Sequence, residues 1–150
     1  MLPIEHTFPP GRAFVAVFLS WFVSQLAKVL RGYVREKKFN FRWLFDTGGM
    51  PSSHSATVAA LATVVGLYYG VWTIPFLMVF IFTIITMFDA AGVRRNMGRQ
   101  ARILNKMIDD VYEKGAVPET RLKELLGHTP IEVFAGAFLG IIMGLLICGN

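Results

Sequence analysis

Two short stretches hold residues that could act together on a phosphate. The first is Gly48-Gly49-Met50-Pro51-Ser52-Ser53-His54, set just ahead of a run with no charged residue from Ser55 to Phe88. Paired glycines allow close approach of the backbone, proline suits a first helical turn, and serine can cap it. A helix start presents backbone N–H groups and partial positive charge, so it receives anions. The second stretch is Gly127-His128-Thr129-Pro130-Ile131-Glu132, again a histidine at a glycine- and proline-marked helix start. Glu132 follows His128 by about one helical turn. A carboxylate bonded to one imidazole nitrogen would fix the tautomer and leave the other nitrogen to attack. A second histidine, titrating near neutrality, could protonate a leaving oxygen. With Lys28, Arg94 and Arg95 to neutralise a transferring group and Asp89 among them, these are parts for phosphoryl transfer.

Each of these residues also has a plainer reading. A histidine at a helix start could simply cap, and His128 with Glu132 could be an ordinary helical hydrogen bond or, with His54, half a zinc site. The neighbouring serines and cations suit an oxyanion better than a metal cation. Lys28 could snorkel to the interface, as lysines near span ends do. Asp89 could serve only in an ion pair with Arg94 or Arg95. The case for chemistry rests on the combination.

Elements must bring these residues together. The chain has 150 residues, is 54% hydrophobic and has a mean hydropathy of +0.51. Its apolar residues come in blocks rather than periodically, the pattern of membrane spans rather than of a soluble core. The expectation is an all-α integral membrane bundle, one membrane-embedded domain over residues 1–150, with spans near Ala13–Leu30, His54–Tyr69, Ile74–Val93 and Ile131–Cys148. Met1–Gly11 reads as an extended tail, and the first apolar run as a retained span rather than a cleaved signal. Ser20, Ser24 and Lys28 recur every four residues, so they share one face, which should look into the bundle. Arg35 lies two turns beyond Lys28 on the same side if that helix continues. Phe39–Thr47 reads as an aromatic, basic connector at headgroup depth. Gly66 and Gly70, and separately Gly136, Gly140 and Gly144, form small-residue faces for close helix packing. Between the third and last spans, Met97, Ala101, Leu104, Ile108 and Val111 predict an amphipathic helix, followed by a short one at Arg121–Leu126. The single cysteine, Cys148, excludes an intrachain disulfide and reads as a buried apolar filler.

Of the fifteen Lys and Arg residues, five lie in Arg31–Arg42 and eight in Arg94–Lys123. Basic segments on one side fit four spans with both termini outside and the two basic loops in the cytoplasm. That topology places Lys28, His54, Asp89, Arg94, Arg95, His128 and Glu132 at cytoplasmic span ends. The net charge of +5 flanks spans instead of forming a soluble basic face, which argues against nucleic-acid binding.

Pro51-Ser52-Ser53-His54 resembles the Pro-Ser-Gly-His motif of the type 2 phosphatidic acid phosphatase and vanadium haloperoxidase superfamily. His128-x-Pro130-x-Glu132-Val133-x-x-Gly136 resembles its final motif, His-x-Pro-x-Asp-Val-x-x-Gly, and Lys28 with Arg35 resembles the Lys and Arg of its first. With Gly-Gly-Met at 48–50 and Asp-Ala-Ala-Gly-Val-Arg-Arg from Asp89, the chain looks like the divergent bacterial branch of that superfamily. The resemblance implies His128 as a nucleophile forming phosphohistidine, Glu132 as its orienting carboxylate and His54 as general acid. It implies phosphate contacts from Ser52, Ser53 and Lys28; Asp89, Arg35 and Gly49 are candidates for supporting roles. Three departures stand out. Ser53 replaces glycine, Glu132 replaces aspartate, and the Ser-Arg pair expected before the last histidine is missing, with Thr120-Arg121 one position too far away. Arg94 or Arg95 could substitute for that arginine.

The expected activity is hydrolysis of a lipid phosphate or small phosphomonoester, with no assigned cofactor or metal, in a membrane whose lipids surround the bundle. A dimer could complete a bundle with fewer spans than other lipid phosphatases of the superfamily. The alternative expectation is a non-catalytic protein that binds phosphate-bearing lipid or carries it across the bilayer.

Overall fold

The structure, a computed structural model, describes residues 10–37, 49–112 and 128–149, and among them there is no strand. Five α-helices follow in order: α1 (Pro10–Glu36), α2 (Ser53–Tyr69), α3 (Ile74–Phe88), α4 (Arg94–Tyr112) and α5 (Pro130–Cys148). The expected tail at Met1–Gly11 and the connector Phe39–Thr47 lie largely or wholly outside the described residues, as does the expected helix Arg121–Leu126.

α2 is the axis of the bundle. It packs against α1, α3 and α5, and α1 also touches α5. Its residues explain the role: Ala56, Ala59, Ala60 and Ala62 let neighbouring backbones come close, and all are buried. The glycine face of α5 meets it as expected. A Cβ on Gly136 or Gly140 would fall within 3 Å of the Ser52 or Ala56 carbonyl oxygen, and one on Gly144 within 3 Å of the Thr63 side chain. Without a strong hydrophobic drive between helices in lipid, such close packing is a main source of association. At the far end from the histidines, Cys148 packs with Ala16 and Val64, the filler role read from the sequence.

The other glycine pair divides. Gly66 lies against the ring of Phe76, whereas Gly70 has open space beside it and φ of +83°. Gly70 ends α2, because an L side chain rarely adopts that backbone angle; it is not a packing residue.

α1 is longer than the span read from hydropathy, beginning at Pro10 and continuing through Arg35. Its polar face does look inward: Ser20, Ser24, Gln25 and Lys28 are all buried. Ser20 and Ser24 donate to their own helix, at Ala16 O and Trp21 O, which lets hydroxyls lie in an apolar setting.

α3 does not end in a loop. Asp89–Val93 form a π-helical turn that passes directly into α4, so the expected third span and the amphipathic helix are one continuous piece. The helical run Ile74–Asp109 has 36 residues, about 54 Å at 1.5 Å per residue. A bilayer's hydrocarbon layer is roughly 30 Å thick, so α4 extends beyond it. Among the described residues, length and composition make three helical runs able to cross a membrane: Pro10–Arg35, Ile74–Asp109 and Pro130–Cys148. α2, with 17 residues, is shorter, but the other spans flank it. The outward faces of α1, α3 and α5 carry exposed Phe, Leu, Ile and Trp side chains, a lipid-facing surface.

Candidate active site

α2 starts with Ser52 as its N-cap. Ser52 Oγ accepts from the Ser55 N–H at 3.4 Å and from the Ser55 hydroxyl at 3.1 Å. This cap corrects one expectation: Pro51 stands before the cap rather than in the first turn, with the Met50–Pro51 bond cis. Gly49 has φ of +90° and lies beside the Lys28 stem, so the chain enters α2 through a backbone shape that suits glycine.

Lys28 does not snorkel. It is buried, and its Nζ donates to Ser53 Oγ at 2.9 Å, tying α1 to the first turn of α2. Arg35 is different: it is exposed at the end of α1, and no described contact joins it to the histidines.

α5 begins at a fully formed cap. Thr129 is the N-cap, Pro130 fills the first helical position, and Glu132 stands at the third. The Glu132 N–H donates to Thr129 Oγ1 at 3.4 Å, and the Thr129 N–H donates to Glu132 Oε2 at 3.1 Å. That same carboxylate oxygen lies 3.2 Å from His128 Nδ1. A carboxylate ion can only accept, so with Glu132 as the carboxylate this contact requires the tautomer that carries the proton on Nδ1 and the lone pair on Nε2.

Two backbone bonds join the sequence-distant pieces. The Ser52 N–H donates to the Glu132 carbonyl at 3.0 Å, and the His128 N–H donates to the Ala90 carbonyl at 3.1 Å. The π-helical turn thus holds the residue just before α5's N-cap, while the cap of α2 rests on α5's first turn. π-turns interrupt the normal ladder and often occur at functional sites. The outcome is one end of the bundle where His128 is 1% exposed and Ser52 and Ser53 are buried. His54 and His128 lie with ring centroids 6.2 Å apart and planes at 63°, so a single phosphoryl group could touch both.

The structure therefore assembles Lys28, Ser52, Ser53, His54, His128 and Glu132. Asp89 opens the π-helical turn whose next residue, Ala90, binds the His128 backbone. Arg94 and Arg95 begin α4, with side chains outside the described part of the structure, and Thr120-Arg121 lie outside it too. Among the described residues, no three His, Cys, Asp or Glu side chains group as a metal centre would need. Two contributors were not singled out from sequence. Ala90 acts through its carbonyl, for which an alanine codes no signal. Thr129 could have been found, because Thr129-Pro130-Ile131-Glu132 is a capping-box pattern.

The chain is 44% identical over 135 residues to the "Uncharacterized membrane protein YuiD" of Bacillus subtilis (strain 168), covering 83% of this chain and 85% of that one. No solved structure matches. With several apolar helices and that relative, this is a multi-pass membrane protein. The sequence profile of the "Divergent PAP2 family" matches residues 11–143, a span that includes every residue of the assembled site, and the chain belongs to that family.

Proposed function

We propose that the protein is a membrane phosphatase that hydrolyses a lipid phosphate through a phosphohistidine at His128. The observation that carries the reading is the His128–Glu132 pair at 3.2 Å with the His54 ring 6.2 Å away. In the first step the His128 Nε2 lone pair attacks phosphorus, a P–N bond forms and the P–O ester bond breaks. His54 delivers a proton to the departing oxygen. As the His128 ring becomes cationic, the Glu132 carboxylate beside Nδ1–H stabilises it. In the second step His54 takes a proton from water, the water oxygen attacks phosphorus, and the P–N bond breaks to release phosphate. Lys28, the hydroxyls of Ser52 and Ser53 and the N-terminus of α2 are the groups proposed to hold the phosphoryl oxygens, and Arg94 or Arg95 would add positive charge.

A lipid ester is favoured over a small soluble one by an apolar recess of about 590 Å³ between α2, α3 and α5. Met87 and Phe134 line it, within two residues of Asp89 and Glu132, so a hydrocarbon tail could extend from the site. The excess of Lys and Arg between spans supports a cytoplasm-facing site.

A second reading, phosphate-lipid binding or transport without hydrolysis, is favoured by one contact. Ser53, glycine in the motif it resembles, already engages the Lys28 ammonium. Phosphate release by purified protein from a panel of lipid phosphates and soluble phosphomonoesters separates the two. Vanadate-sensitive release that is lost in His128→Ala supports the enzyme. Binding of phosphate or vanadate with no release across the panel supports the carrier.

A further inference from the structure

We propose that Thr129 is a positioning residue: its capping box with Glu132 sets the tautomer and orientation of the His128 ring. The catalytic consequence rests on the phosphohistidine reading above; the geometric claim does not. One oxygen, Glu132 Oε2, accepts the Thr129 N–H at 3.1 Å and lies 3.2 Å from His128 Nδ1. A glutamate side chain turning about three bonds would lose much rotamer freedom to hold that place for the ring alone. The cap supplies the second hold. Thr129 Oγ1 accepts the Glu132 N–H, fixing the backbone from which the side chain reaches back.

The arrangement also accounts for the departure at position 132. In the capping box the residue at the third helical position is typically Glu or Gln, whose side chain returns to the N-cap N–H. Aspartate has one methylene less, so its carboxylate would sit differently relative to the cap N–H and the imidazole. Glutamate at 132 and threonine at 129 are therefore one device. The rest of the clamp agrees: Pro130 at the first helical position needs no N–H partner, and the His128 N–H is fixed on Ala90 O. The ring is held at its backbone by the π-helical turn after α3 and at Nδ1 by α5's cap.

The test is ¹⁵N NMR of the full-length protein in detergent micelles with labelled histidine, at about pH 8, where an ordinary imidazole is neutral. The His128 signals are assigned by their absence in His128→Ala. The wild-type ring is expected in the Nδ1–H tautomer. Thr129→Ala should shift the population toward Nε2–H by about five- to tenfold, the scale of losing an N-cap, and Thr129→Ser should restore it. Glu132→Asp keeps the charge but not the reach and should move the tautomer as Thr129→Ala does; it decides the matter if Thr129→Ala does not fold. In turnover assays the same variants should lower kcat by a similar factor and leave KM unchanged. Wild-type tautomer populations in both Thr129→Ala and Glu132→Asp would overturn the proposal, as would failure of Thr129→Ser to restore them. If the wild-type protein releases no phosphate, the phosphatase reading fails while the tautomer measurement still decides the role of Thr129.

Discussion

At the scale of single residues, the site pairs groups whose charges and lone pairs are complementary, and their substitutions should separate by role. His128→Ala should abolish phosphate release while leaving the protein folded and inserted, because the imidazole's removal leaves α5's cap intact; wild-type turnover in that variant would remove the nucleophile. Lys28→Met preserves length and apolar stem but removes the ammonium. Hydrogen bonds to a charged group contribute about 1.5–3 kcal/mol, so inhibition by inorganic vanadate should weaken roughly 10- to 100-fold, measured as a dose–response shift. Unchanged inhibition would assign Lys28 to the α1–α2 contact alone. Much of this was legible in the sequence. The four-residue spacing of Ser20, Ser24 and Lys28 disclosed a buried face, and the two histidines were marked by their helix-start chemistry. What was not legible was the partner of Lys28. Ser53 lies 25 positions away, and only the packing of α1 on α2 brings the two together.

At the scale of elements, the site depends on how closely α5 approaches α2. Gly136 faces Ser52, the cap of α2, whereas Gly140 faces Ala56 one turn deeper. Alanine at either should destabilise by about 1–3 kcal/mol, the usual result of overpacking, seen as a lower thermal midpoint in detergent. The two should differ in activity. Gly136→Ala pushes directly against the segment whose Ser52 N–H bonds Glu132 O, so it should lose turnover beyond its loss of stability; Gly140→Ala should retain more. Gly92 is the control. It lies in the π-helical turn with nothing within 4 Å of an added Cβ, so Gly92→Ala should not destabilise and could gain up to about 1 kcal/mol from helix propensity. Equal stabilities for all three variants would contradict the close-packing account. The glycine stripe on α5 was readable because its period matches one helical face. The turn at Asp89–Val93 was not, since Ala-Ala-Gly-Val has no marker of a π-helical insertion, and its role is carried by a backbone carbonyl.

At the scale of the whole molecule, the central helix α2 is flanked by α1, α5 and the continuous run Ile74–Asp109, each longer than it, and their outer faces are apolar. The extension of the third span into α4 places Arg99, Arg102 and Lys106 past the hydrocarbon layer, and the charge asymmetry predicts that they face the cytoplasm. A membrane-impermeant maleimide should label Trp72→Cys in intact cells, since Trp72 is 97% exposed at the opposite end. It should label Arg102→Cys only after lysis. The reverse pattern would invert the topology and move the site to the outer face. Hydropathy disclosed the number of apolar segments but misplaced both ends of α1, because helices continue beyond the hydrocarbon layer as long as nothing breaks them.

The most direct measurement is of the covalent intermediate itself. His54→Ala, given p-nitrophenyl phosphate, has a leaving group that needs no proton, so attack by His128 can proceed while hydrolysis of the P–N bond is slowed. Mass spectrometry after alkaline quench should then find phosphate on His128 in that variant, lost on acid treatment, and none when His128 is also replaced. Phosphate release that persists without His128, with no phosphorylated histidine at any time, would contradict the account.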